Sequence, residues 1–266
     1  MPTTAVTKER ITSELRRLGI QPGDRLIAHS SLRAFGWVQG GAEAVVEALL
    51  DTVGPTGAVM VPTFNHSRVK VFDPETTPSH NGAITEALRK RPNAVRSLHP
   101  THPYAAIGRD AADLTAANLE VGTFDPASPL GKLAERGGWI VLLGVGMGAN
   151  TCIHIGQATA QAHCLGYGHE RSFIKLDGEV REVHSTLWRR GRCPIEARPE
   201  RSEGSPVETR MRQRDLIHDG QVGDAEVHVM RGRDVIAVTV ELCAELCPTC
   251  PIQPAWENPR AVEREP

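Results

Sequence analysis

The chain has 266 residues, enough for one large domain or two small ones and for burial of roughly three quarters of its unfolded surface. Thirty basic residues against thirty-two acidic ones give a formal charge of -2, and no Lys/Arg block interleaved with aromatics offers a nucleic-acid footprint. The opening MPTTAVTKERITSELRRLGI has no basic head followed by an apolar run, no later stretch has the length of a membrane span, and six cysteines are too few for a disulfide scaffold; a cytoplasmic protein is expected, with neither nucleic acid nor membrane as partner.

Ile11, Leu15 and Leu18 recur at helical spacing, and Gly19 ends that helix before the buried strand of DRLIAHSS. A helix over 40–54 closes at Gly54, and AVMVPTF (58–64) reads as a strand whose Pro62 marks an end or an edge. A helix over 81–93, a strand over 102–108 and a helix over 128–138 follow, the last with Ser128 as N-cap and Pro129 at its first position. WIVLLGV (139–145) is a wholly apolar buried strand, and GVGMGANTCIHIGQ then runs through three glycines into a helix. Asp177-Gly178 centres an antiparallel hairpin, 196–206 has loop composition, and a helix to Asp219, a strand over 225–230 and a helix over 234–246 complete the series. The alternation predicts an α/β body with an appended antiparallel pair, a single domain over 1–246 and an irregular tail over 247–266.

Three stretches carry chemistry. His29-Ser30-Ser31-Leu32 follows a strand, and Gly36, Gly40 and Gly41 lead on into a helix N-terminus; backbone amides there suit a pyrophosphate, although an ordinary Ser-rich turn has the same spacing. There is no Walker-type lysine loop, and GVGMGA misses the dinucleotide-binding spacing by one position. Cys243, Cys247 and Cys250, with Cys193 as a conceivable fourth, under-specify a tetrahedral zinc site, so thiols and no metal are expected. His154 could serve as a base near neutrality or be a packed helix-face residue, and no acid lies near it in sequence.

AHSSLRAFGWVQGGAEAVVEAL, FDPETTPSHNGAITEALRKRPNAVRSLHPTHPYAAIG, SPLGKLAERGGWIVLLGVG and NTCIHIGQA, in this order, resemble the aminoglycoside 3-N-acetyltransferase family. The resemblance covers roughly residues 8 to 165 well and the rest loosely. It implies a three-layer α/β/α sandwich with a mixed central sheet, and acyl transfer from acetyl-CoA, as co-substrate, to the 3-amino group of an aminoglycoside. It further implies that Leu32, Arg33, Phe35 and Val38 lie along the coenzyme with His29, Ser30 and Ser31, and that His99, Thr101 and His102 line the opposite wall. His154 falls on the family's base, and transfer is expected to be direct, because Cys152, two residues away on the helix, faces elsewhere.

The sequence departs from the family at several positions. Pro103 stands where a serine is usual, Gly148 where an acid precedes the histidine by six residues, and Gln157 where a glutamate follows it by three. A carboxylate partner is therefore expected from a distant segment, with Glu196 first and Glu200 next. Asp73, Glu75 and Asp125 are expected to meet the ammonium groups of the substrate. Two alternatives stay open: the same fold and coenzyme acting on another amine, and a coenzyme-binding protein that has lost catalysis.

Overall fold

A computed structural model describes residues 5–66, 68–162, 164–190 and 204–250. In chain order the elements are α1 (Lys8–Arg17), β1 (Arg25–Ser30), α2 (Gly41–Val53), β2 (Ala58–Pro62), α3 (Ala83–Arg89), β3 (Val95–Arg96), β4 (Tyr104–Gly108), α4 (Ala111–Thr115), α5 (Asn118–Val121) and α6 (Pro129–Glu135). They continue with β5 (Trp139–Leu143), α7 (Cys152–Thr159), β6 (Leu165–Leu176), β7 (Glu179–Arg190), α8 (Pro206–Gln213), β8 (His218–Val222), β9 (Ala225–Arg231) and α9 (Gly232–Leu246).

Seven strands form one sheet in the order β3-β4-β2-β1-β5-β9-β8, while β6 and β7 form a separate two-stranded sheet, with a single bridge from β6 to Phe72. Strands β1, β2 and β5 run parallel, and β4 and β9 flank them antiparallel, so the sheet is mixed as expected. Alternation along each strand divides the buried side chains between two faces. Ile27, Met60, Ile140 and Leu142 pack under α6, α7, α8 and α9. Leu26, Val59, Val61 and Val141 pack under α1, α2 and α3. The result is the three-layer α/β/α sandwich, and the hairpin turning at Asp177-Gly178 is its appendage.

Most expected elements appear with shorter bounds. Pro62 is the last residue of an interior strand, which resolves its end-or-edge ambiguity in favour of the end. Ser128 accepts a hydrogen bond from the Gly131 amide and Pro129 opens α6. One expectation fails: the helix projected to Asp219 stops at Gln213, and His218–Val222 is instead the edge strand β8. Asp215 adopts φ 54°, which breaks the helix, and Gly223 at φ 60° turns the chain into β9. Residues 251–266, most of the expected tail, and 191–203, which contain Cys193, Glu196 and Glu200, lie outside the described residues. Among the described residues no helix is long and apolar enough to cross a membrane.

Candidate active site

The carboxyl ends of β1, β2 and β5 (Ser30, Pro62, Leu143) and the start of β4 (Tyr104) lie at one end of the sheet, where open α/β folds hold their ligands. Four loops converge there: 31–36, 63–66, 99–103 and 144–151. The first is tied to the last residue of β5 by a hydrogen bond from the Ser31 amide to Leu143 O, 2.9 Å, where the last loop begins. Gly144 makes this closeness feasible, since a Cβ on it would collide with the Ala34 Cβ. A larger groove of about 1070 Å³ opens at the opposite end, beside Gly57 and Gly108, away from these loops.

The loop after β1 divides its residues between core and surface. Phe35 and Val38 are buried in the α1–α3 layer, so they shape the loop from beneath rather than line it. Ser31 and Leu32 are half-buried and Arg33 is exposed. Ser30 Oγ and His29 Nε2 are buried without a hydrogen-bond partner among the described residues. Burial lowers the His29 pKa to about 4, so this ring is neutral. Alternation along β1 puts His29 on the face that packs under α7. Gly40 (φ 83°) opens α2 with no side-chain cap, leaving first-turn amides without a side-chain acceptor.

The 99–103 loop is organised by His99. Its Nδ1 accepts from the Thr101 amide (3.3 Å) and the His102 amide (3.1 Å), and its Nε2 donates to Thr186 O at 3.1 Å. Both nitrogens are thereby engaged in an uncharged ring, and burial lowers its pKa to about 4. His99 is a scaffold residue of this wall, whereas half-buried His102 is central to it. Its Nδ1 meets Thr101 Oγ1 at 2.7 Å, and its ring packs edge-on against Phe64 (4.8 Å), His66 (5.7 Å) and His99 (5.7 Å). Pro103 supplies no hydroxyl, but its carbonyl accepts from the Thr63 amide and hydroxyl. A cavity of about 300 Å³ lies between Thr101, the Val69–Phe72 segment and Glu170–Phe173 of β6.

His154 sits in the first turn of α7, whose start is held by Asn150 Oδ1 accepting from the Cys152 amide at 3.1 Å. The ring is 5% exposed and packs against Phe124 at 4.6 Å. Its Nδ1 lies 2.7 Å from Gln157 Oε1. The side chain that replaces the glutamate is itself in contact with the ring, and the carboxylate expected from a distant segment, Glu196 or Glu200, lies outside the described residues. The three-residue spacing on a helix was the signal for the Gln157 contact, and Phe124 had no sequence signal at all. Gly148 is exposed in the 3-10 turn before α7. Cys152 is fully buried, its thiol pKa pushed up by burial and its Sγ directed at Gly232 O, 3.5 Å.

The three expected substrate acids lie on two loops, 73–77 and 125–128. Asp73 Oδ1 accepts from the Glu75 and Thr76 amides, and Oδ2 pairs with Lys175 at 3.4 Å. Burial opposes ionisation of Asp73, yet the hydrogen bonds from Thr76, Glu75 and Lys175 hold its pKa below the usual range. Its loop is fixed by half-buried Arg96, which donates to Pro74 O, Thr77 O and Thr63 O and lies over Phe72. Glu75 is exposed beside it. Asp125, half-buried, follows in the chain the Phe124 that packs on His154, and its Oδ1 accepts from the Ala127 amide at 2.7 Å. Glu196 lies outside the described residues. Cys243 is buried on α9, Cys247 and Cys250 are half-buried, and among the described residues no group of three or more metal-ligating side chains could hold an ion.

A mixed sheet between two helical layers thus carries a histidine-bearing helix at the carboxyl end of its parallel strands. Residues 27–244 match the aminoglycoside 3-N-acetyltransferase family, and the chain belongs to that family. It is 34% identical to aminoglycoside N(3)-acetyltransferase VII of Streptomyces paromomycinus, covering 87% of this chain and 89% of that protein. It is 30% identical to aminoglycoside N(3)-acetyltransferase IV of a Salmonella species, over 88% and 85% of the two. Among solved structures it resembles aminoglycoside acetyltransferase AAC(3)-Xa, with TM-score 0.81, 30% identity and 91% and 94% of the two chains covered. It also resembles a histidine-to-alanine mutant of AAC(3)-IVa in complex with a gentamicin, with TM-score 0.80, 27% identity and 92% and 91% covered.

Proposed function

We propose that this chain transfers the acetyl group of acetyl-CoA to the 3-amino group of an aminoglycoside in one direct step, with His154 as general base. The observation that carries this reading is the buried, partnered imidazole of His154 at the carboxyl end of the parallel strands. A protonated amine has no lone pair for attack, so the chemistry needs a neutral base at that end. The amine nitrogen attacks the thioester carbonyl, its proton passes to the imidazole, and the carbon–sulfur bond breaks to release the coenzyme thiolate. Cys152, buried and hard to ionise, is unsuited to an acyl-enzyme.

For the acyl donor, the uncapped start of α2 offers amides to phosphate oxygens, and the orphan Ser30 Oγ is a hydrogen-bonding group beside the loop that leads to it. Asp125, next in the chain to the Phe124 that packs on His154, is the candidate acid for an ammonium group near the base. One observation favours a second reading, in which the same fold and coenzyme serve another amine: the Asp73 carboxylate is already held by its own loop and by Lys175. Thiol release from acetyl-CoA across deoxystreptamine and non-deoxystreptamine drugs tests both. Turnover with deoxystreptamine drugs is expected; transfer only to unrelated amines supports the second reading, and coenzyme binding with no turnover on any amine refutes both.

A further inference from the structure

The geometry points to Gln157 as a positioning residue that fixes which nitrogen of His154 is basic, an inference that deepens the reading of His154 as the base. The two residues are three apart on α7, hence on one face, and Nδ1 and Oε1 stand 2.7 Å apart. A carboxamide oxygen carries lone pairs and no hydrogen, so the shared hydrogen resides on Nδ1. A neutral imidazole has a single N–H; with that hydrogen on Nδ1, the lone pair able to accept a proton is on Nε2. Gln157 is wholly buried, His154 is 5% exposed, and the Phe124 ring packed on the imidazole restrains its rotation. An uncharged amide thus supplies the orienting function of the carboxylate usual at this position, without adding a charge beside the ring.

The tautomer can be read without activity. In protein labelled with 15N-histidine, long-range proton–nitrogen correlation distinguishes the protonated from the bare ring nitrogen, and the signals missing from His154→Ala assign this ring among the eleven histidines. The wild type at a pH where the ring is neutral is expected to show hydrogen on Nδ1 and a bare Nε2. Gln157→Glu, which keeps an acceptor oxygen, retains that pattern. Gln157→Leu, which has none, shifts the tautomer balance towards hydrogen on Nε2 and loses roughly tenfold or more in kcat, with KM for acetyl-CoA unchanged. A wild-type ring with its hydrogen on Nε2, as a donating amide would impose, overturns the proposal, and so does an unaltered tautomer in folded Gln157→Leu. If Gln157→Leu fails to fold, the wild-type and Gln157→Glu spectra still decide. Full activity of His154→Ala alongside the expected tautomer removes the base reading and leaves the positioning intact.

Discussion

At the scale of single residues, His154 carries the sharpest expectation. His154→Ala should lower turnover by roughly a hundredfold or more while coenzyme affinity is retained, because a lost general base costs the chemical step and not nucleotide binding. Steady-state kinetics and calorimetry check the two halves, and full activity would direct attention to His102. Ser31 tests the other side of the site: Ser31→Asp sets a negative charge in the loop tied to Leu143 and should weaken acetyl-CoA binding by electrostatic repulsion. Unchanged coenzyme affinity in the folded variant would remove this loop from the phosphate site. The sequence made His154 conspicuous because imidazole is a rare functional choice inside a matched motif. It left Gln157 disguised, since a residue that merely lacks a charge reads as a loss until its oxygen is seen against the ring. Phe35 and Val38 show the reverse: a motif identifies a loop but not which of its side chains turn inward.

At the scale of elements, the position of His154 depends on how α7 lies against α9. Gly156 is the contact point, where an added Cβ would stand 2.5 Å from the Thr239 Cβ and 3.0 Å from Ile236 O. Gly156→Ala must therefore push the helices apart, at a cost of about 1–3 kcal/mol, and should lower both Tm and turnover. A thermal melt within a degree of wild type would show that this interface has slack. Elements with strong periodicity or terminal signals were legible in advance: the capped α6, the apolar β5 and the hairpin centred on Asp177-Gly178. The short ones were not. β3 has two residues and α5 four, too few for any period to register, and they owe their form to the neighbours they pack on. β8 was hidden differently, because HDGQV offers one buried residue in five and gains its strand character from pairing with β9.

At the scale of the whole molecule, His29 and His99, held uncharged by burial, couple stability to pH. His29 and His99 have native pKa values of about 4 against an ordinary value of 6.5. Between those limits the unfolded chain binds more protons than the native one, so the contribution is complete above about 6.5 and is lost as pH falls towards 4. Each ring accounts for up to about 3 kcal/mol over that window. Denaturant unfolding at stepped pH should show the decline, and His99→Gln should flatten it; an equal slope in that variant would refute the assignment. The division into layers was readable from the alternation of elements, whereas the meeting of four distant loops at one end follows from sheet order, which no local pattern encodes. The hairpin bears on how such a molecule changes over generations. It joins the 69–72 segment through main-chain bonds, Phe72 N to Phe173 O and Lys175 N to Phe72 O, both 2.8 Å. Peptide groups do not read the side chains attached to them, so the residues of β6 that wall the 300 Å³ cavity can drift, or be grafted from a relative, while the attachment and the seven-stranded body persist.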